Sequence, residues 1–287
     1  MKKKLFSVLI LGLILSACTA NSNGKQLVGG IKESAETQVE ASDEKAVAEE
    51  STDNYEAVEG LEIPAKLTAQ PEQILKRAGY TVSYNSNTRL PNWVAWHLTA
   101  EHLKGNTSRK EKAFQEDDDV KAPRATDSDY FRSGYDRGHM CPAGDNKWSD
   151  EAMTQSFLFT NICPQVPNLN RGDWNEMENM CRKWAKQYGD IYIVCGPIIY
   201  KKKTPTKIGK NKVVVPDAFF KVVLCMKGTP KAIGFIYKNA EGDRPKGDYM
   251  NTVDEVERIT GFDFFPTLPD DVEKKVEAES KASDWGI

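Results

Sequence analysis

The chain has 287 residues, of which 39% are hydrophobic and 28% charged, so most of its length can contribute to a buried core. The formal net charge of −3 argues against a protein that coats nucleic acid by bulk electrostatics. The charge is uneven: residues 1–58 carry 6 Lys/Arg against 9 Asp/Glu, and residues 59–268 carry 30 against 27. A mildly basic body suits a protein that meets a few phosphates and lets go.

At the amino terminus, Lys2, Lys3 and Lys4 precede an apolar run, LFSVLILGLIL at 5–15, and then Leu15-Ser16-Ala17-Cys18. A basic start, a short apolar stretch and a small-residue cleavage site describe a secretory signal over 1–17. The run is short for a transmembrane span. Cys18 after Leu-Ser-Ala resembles the bacterial lipobox, which implies export, lipidation of Cys18 and a membrane anchor that two or more acyl chains make stable. Thr19 follows, and the resemblance then implies the outer membrane, with either face open. Residues 18–60 are rich in Ser, Glu, Ala, Asn and Gly and poor in aromatics, which predicts a flexible acidic linker.

Beyond the linker, 79–84 (GYTVSY) and 93–99 (WVAWHLT) predict strands joined by a polar turn. Residues 104–128 predict a loop. Gly134, Gly138, Pro142 and Gly144 make 132–148 rich in turns. Ser149 can cap a short helix to about Phe157. LFTNI (158–162) predicts a short strand, and Asn168–Gly172 a loop. A helix is predicted from Asp173 to Tyr188, ended by Gly189. Strands follow at 191–195, 213–215, 219–226 and 231–237, then a short helix at 251–258 and a charged tail at 269–287. Strands and helices mix without a βαβ rhythm, so the class is α+β. Five cysteines follow residue 18: Cys141, Cys163, Cys181, Cys195 and Cys225. An exported protein admits disulfides, the odd count leaves at least one thiol unpaired, and no pairing follows from the spacing.

Two segments carry chemistry. Asp136-Arg137-Gly138-His139 puts one of only three histidines in a glycine turn beside an arginine. A neutral imidazole can take a proton from water, and a guanidinium can hold a phosphate oxygen. Alone, this short match supports a structural histidine equally well. About 30 residues later come Thr160-Asn161-Ile162-Cys163-Pro164-Gln165, then Leu169-Asn170-Arg171-Gly172-Asp173-Trp174, then Glu178 and Arg182. Trp174, Glu178 and Arg182 recur every four residues on one side of the predicted helix. Asn170 lies just before it, so its amide oxygen and the Glu178 carboxylate can converge on one cation. The bland alternative is a surface Glu–Arg pair, worth little by itself. A zinc site of His139 with Cys141 and Cys163 fits no usual ligand spacing.

Together these segments resemble the DNA/RNA non-specific endonucleases of the ββα-metal class, the His-Me finger superfamily. That family shows Asp-Arg-Gly-His, Thr/Ser-Asn-x-x-Pro-Gln, and Leu-Asn-x-Gly-x-Trp with a Glu and an Arg at successive four-residue steps. Cys195-Gly196-Pro197 also resembles its Gly-Pro element. The likeness spans about residues 79–266, and the expected nuclease domain is 61–268. It implies a central antiparallel sheet flanked by helices, with DNA and RNA hydrolysed to 5′-phosphate products. It implies His139 as general base and Asn170 as the protein ligand of one Mg²⁺, with Mn²⁺ a substitute. Glu178 then holds metal-bound water, and Arg137 and Arg182 neutralise the phosphate. Asn161 and Gln165 are expected to shape the site or touch substrate, and Asp136 to fix its turn. Arg109 is the candidate upstream phosphate contact, with Arg89 and Arg132 as rivals. Where the family often continues Ala-Asp-Arg, this chain has Gly144-Asp145-Asn146-Lys147, a departure that bears on substrate contacts. His97 and His102 are read as structural and surface residues. A same-fold phosphodiesterase with another substrate, or an idle nucleic-acid-binding lipoprotein, are the alternatives.

Overall fold

A computed structural model describes residues 59–200, 204–240 and 242–287. The expected signal, Cys18 and nearly all of the linker lie outside the described residues. In chain order the elements are β1 (Gln73–Lys76), β2 (Thr81–Asn85), β3 (Leu90–Thr99), α1 (Asp127–Tyr130), β4 (Asp136–His139), α2 (Asp150–Gln155), β5 (Ile162–Gln165), α3 (Pro167–Arg171) and α4 (Asp173–Tyr188). Then come β6 (Asp190–Ile198), β7 (Lys207–Ile208), β8 (Val213–Val214), β9 (Ala218–Cys225), β10 (Lys231–Lys238), β11 (Met250–Asn251), α5 (Val253–Thr260), α6 (Asp270–Ala278) and α7 (Ala282–Trp285).

Seven strands form one sheet in the order β1-β2-β3-β6-β9-β10-β11, and every neighbouring pair is antiparallel. The period of two divides the apolar side chains between two cores. On β9, Phe219 and Val223 enter the core that also holds Trp174, Met177 and Trp184 of α4. Phe220, Val222 and Leu224 enter the opposite core with Val253 and Val256 of α5 and Val276 of α6. Both faces of β3, β6 and β9 are therefore covered, which is why these strands read as unbroken apolar runs. The fold is α+β, as expected.

Helix α4 buries Trp174, Met177, Cys181, Trp184 and Ala185, a stripe at helical spacing. Asp173 and Glu176 sit in its first turn, where the helix dipole favours anions. Gly189 ends it at φ 97, with its N–H donating to the Ala185 carbonyl. Ser149 caps α2 by accepting from the Ala152 N–H.

Three expectations change. The predicted strand at 158–162 is a 3-10 turn at Phe159–Asn161 followed by β5. The predicted loop Asn168–Gly172 is instead mostly α3, which Pro167 can open because its missing N–H is not needed in a first helical turn. The predicted charged tail folds back as α6 and α7. Trp285 is buried there, 4.7 Å from the Trp184 ring centroid, and its carbonyl accepts from Trp184 Nε1. The tail is a docked part of the domain: Val276, with Val272 beside it, enters the α5 core, and Trp285, with Ile287 beside it, enters the α4 core. Among the described residues no helix is long and apolar enough to cross a membrane.

Candidate active site

β4 and β5 pair antiparallel with Arg137 opposite Pro164 and His139 opposite Ile162, and α3 leads from them into α4. This is the expected ββα unit. A Cβ on Gly138 would collide with Gln165 Oε1, so the hairpin closes only around glycine. Trp174 Nε1 donates to the His139 carbonyl at 3.2 Å, which fixes the end of β4 against α4.

The unit lines a cleft of about 420 Å³ that brings together Arg109, Arg137, His139, Asn170, Glu178 and Arg182. An adjoining cleft of about 390 Å³ shares Arg109, Arg137 and Asn170 and adds Arg132. Arg89 lines neither; its guanidinium turns back to the Asn87 carbonyl.

His139 stands edge-on to Phe157, with centroids 5.0 Å apart, and tilted against Phe114 at 5.4 Å. Its Nε2 is buried without a hydrogen-bond partner. No hydrogen bond reaches Nδ1 among the described residues, and the residue lines the cleft. Burial, reinforced by Arg109 and Arg137, pushes the imidazole down to about 3, so the ring is neutral at ordinary pH. The guanidinium of Arg137 stacks over Phe114 at 4.6 Å and pairs with Asp127.

Asn170, in the last turn of α3, turns its amide nitrogen to Asp136 Oδ2 at 3.0 Å. Arg171 holds the same carboxylate with both Nε and Nη2, at 2.8 and 2.7 Å. Burial opposes ionisation of Asp136, and the Arg171 and Asn170 hydrogen bonds outweigh it, holding the carboxyl below its usual range. Asp136 thus does more than fix a turn: it orients the Asn170 amide, whose oxygen has no hydrogen-bond partner among the described residues.

Burial pushes Glu178 up to about 7, against the pull of Lys221 and Arg182. Arg182 lies 4.0 Å from Glu178 and donates to buried Asp145 at 2.7 Å. Trp96 Nε1 donates to the other Asp145 oxygen at 3.2 Å. A Cβ on Gly144 would sit 2.8 Å from Arg182 Nη1. The Gly144-Asp145 pair is therefore the seat of Arg182, and Asn146 braces the turn by donating to the Pro142 carbonyl.

Asn161 and Gln165 are both 0% exposed, so of the two expected roles the structure favours shaping the site over touching substrate. Asn161 accepts from the Cys141 N–H at 2.8 Å and donates to the carbonyls of Cys141 and Ser156, stitching the strand after His139 to the turn after α2. Gln165 packs beneath Gly138 with both amide atoms unpartnered. Among the described residues all five cysteines are free and buried. His97 accepts its expected structural place, 2.7 Å from Asp190 and stacked on Tyr192, while half-buried His102 stacks on Trp148.

Sequence reasoning missed Phe114, Asp145 and Lys221. Lys221 is 0% exposed, faces the α4 core at an inward position of β9, and lies 4.4 Å from the Trp174 ring and 5.3 Å from Trp96. Burial pulls its ammonium down, and Cys195, Cys181, Glu178 and Asp145 outweigh that, so it stays charged. A lysine inside the run FKVVLCM was the visible signal.

Residues 39–271 match the family model described as DNA/RNA non-specific endonuclease. The chain belongs to the DNA/RNA non-specific endonuclease family. This endonuclease is 36% identical over 209 residues to human mitochondrial Endonuclease G, covering 68% of this chain and 70% of the relative. It is 38% identical to Nuclease C1 of Cunninghamella echinulata var. echinulata, covering 68% and 83%, and 33% identical to a nuclease of a Nostoc species, covering 75% and 81%. A crystal structure of an EndoG/EndoGI complex superposes with a TM-score of 0.65 at 30% identity, over 69% of this chain and 87% of the other. The endonuclease is a hydrolase, and its cleft is the one built by the family's motif residues.

Proposed function

We propose that this endonuclease cuts DNA and RNA with one Mg²⁺ held by Asn170, Mn²⁺ being a substitute, and with His139 as general base, leaving 5′-phosphates and 3′-hydroxyls. The observation that carries the reading is one cleft in which a neutral imidazole, a free carboxamide oxygen and three arginines converge. The donor set fits a hard cation that keeps most of its waters: Asn170 offers one neutral oxygen, and Glu178 stands near to hold water. When bound, such an ion supplies Lewis-acid stabilisation of phosphate charge.

The protein's own groups do the rest. With Nε2 carrying the ring proton into the aromatic wall, the Nδ1 lone pair faces the cleft and takes a proton from the attacking water. Arg137, Arg182 and Arg109 neutralise the charge that grows on the phosphoryl oxygens. Arg182 is preset by Asp145 and needs little reorganisation. The charged lining is dominated by arginines, which bind phosphate whatever the sugar, and this supports action on both DNA and RNA.

Cleavage of supercoiled plasmid and of RNA, with Mg²⁺ or with chelator, tests the reading beside His139→Ala. Metal-dependent loss of both substrates, reduced at least about 100-fold in the variant, is expected. Well-folded protein that binds nucleic acid and cuts neither would make it a binding protein instead. We further propose export and lipid anchoring through Cys18, supported by the lipobox-like Leu-Ser-Ala-Cys. Radiolabelled palmitate should enter the wild-type chain and not Cys18→Ser; equal labelling of both would end that proposal.

A further inference from the structure

On the sheet face opposite the catalytic cleft, five carboxylates crowd the junction of α5 and α6. Asp254 and Glu257 lie one turn apart on α5, and Glu277 lies in the last turn of α6. One oxygen from each of these three can be chosen so that all lie within 4.8 Å of one another. Asp263 and Glu273 add further negative charge from the same side.

Glu277 is the member that a surface acidic patch would not contain. It is 7% exposed, and its Oε1 is buried with no hydrogen-bond partner. Among the described residues no hydrogen bond or ion pair reaches it, and the charged neighbours that act on it are other carboxylates. It also sits at the end of α6 where the helix dipole disfavours an anion. A buried carboxylate is normally paired with a cation or a hydrogen-bond donor, and here only carboxylates face it. Burial, then Glu257 and Glu273, push Glu277 up to about 8, and burial pushes Glu257 up to about 7.

We propose that Asp254, Glu257 and Glu277 form a second divalent-cation site, of calcium type, that ties α6 to α5. Three carboxylate oxygens within 4.8 Å of one another can share one divalent ion, and carboxylates that arrive from two helices with water on one side suit the flexible, high-coordination shell of Ca²⁺ better than the strict octahedron of Mg²⁺. Glu257 keeps one oxygen for the ion, because the other accepts from the Phe264 N–H at 2.7 Å. Waters complete the shell on the exposed Asp254 side. The ion would cross-link α5 to the helix from which the docked carboxyl-terminal segment continues.

The test uses the full chain carrying Asn170→Ala, so that binding in the catalytic cleft is removed and the outcome is separable from that of the proposed function. Ca²⁺ is titrated calorimetrically and thermal unfolding is followed at pH 7.5 with Ca²⁺ or chelator. One Ca²⁺ per chain and a rise in Tm of about 5–10 °C at saturation are expected. Adding Glu277→Gln should abolish both, while its Tm in chelator stays at or above that of its parent, because the isosteric amide removes the repulsion. In an otherwise wild-type chain Glu277→Gln should leave the Mg²⁺-dependent cleavage rate within about twofold, the usual reach of a distant, independent site. Calcium binding and a Tm increment that survive Glu277→Gln would overturn the site. So would a parent indifferent to Ca²⁺ whose Tm rises as pH falls from 8 to 6, since protons would then satisfy the cluster.

Discussion

In the cleft, burial acts on His139 and Glu178 in opposite chemical senses. The imidazole is pushed down to about 3 and is neutral above that value; the carboxyl is pushed up to about 7 and is charged only above it. As pH falls through 7, Glu178 takes up a proton and competes with the cation while His139 stays a base. The acid limb of the pH–rate profile should therefore follow metal occupancy. Raising Mg²⁺ tenfold should move its midpoint down by up to about one unit. A midpoint near 6.5 that ignores metal would assign the limb to an ordinary histidine and sink this account. Asp136→Ala should raise the Mg²⁺ needed for half-maximal cleavage by about 10–100-fold, with the rate at saturating metal changed less, since Asp136 acts by orienting the Asn170 amide. At this scale the motif order made Arg137, His139, Asn170, Glu178 and Arg182 legible, while Arg109 was one of three upstream candidates and lines the cleft with them. For Asn161 and Gln165 the motif left shaping and touching both open, because proximity to a motif does not say which way a side chain points. The lysine in FKVVLCM was visible as an oddity, but not as a site neighbour, because nothing local announces that a strand beginning 30 residues beyond α4 will pass beneath Glu178.

α4 was legible end to end: an acidic first turn, an apolar stripe and a terminal glycine agree with one another, and local agreement is what fixes a boundary. α3 was not, because Asn and Gly suggested a loop while a proline at its first position permitted a single helical turn. β1 was missed since QILK is a short edge strand with one buried side chain. The segment joining β4 to β5 depends on Asn161, whose three buried hydrogen bonds have no substitute. Asn161→Ala should cost about 2–4 kcal/mol of stability and lower Tm accordingly. Cleavage per folded molecule should stay near wild type in KM. A raised KM with unchanged Tm would restore the substrate-contact role.

Across the whole molecule, the sheet carries the catalytic unit on one face and the α5–α6 layer on the other, and the last residues close the α4 side. Trp285 wedges against Trp184 and Tyr188, and Lys231 donates to the Asp284 carbonyl at 2.6 Å. Trp285→Ala should destabilise the fold by about 3–5 kcal/mol, lowering Tm by on the order of 10 °C, and should expose the carboxyl-terminal residues to protease before the rest. Unchanged Tm and proteolysis would make the segment dispensable. The charge of this stretch hid its role in the sequence, where scattered apolar residues among many polar ones resemble a solvated tail. The five buried thiols have a consequence of another kind. They sit beside β4, in β5, in α4, in β6 and in β9, each too enclosed to meet a reagent in the closed state. A thiol-specific dye therefore reads the molecule as a set of clocks: each cysteine labels only when its own layer opens. Single-cysteine chains retaining Cys163 or Cys225 would time the breathing of the catalytic hairpin against that of the central sheet without any added probe.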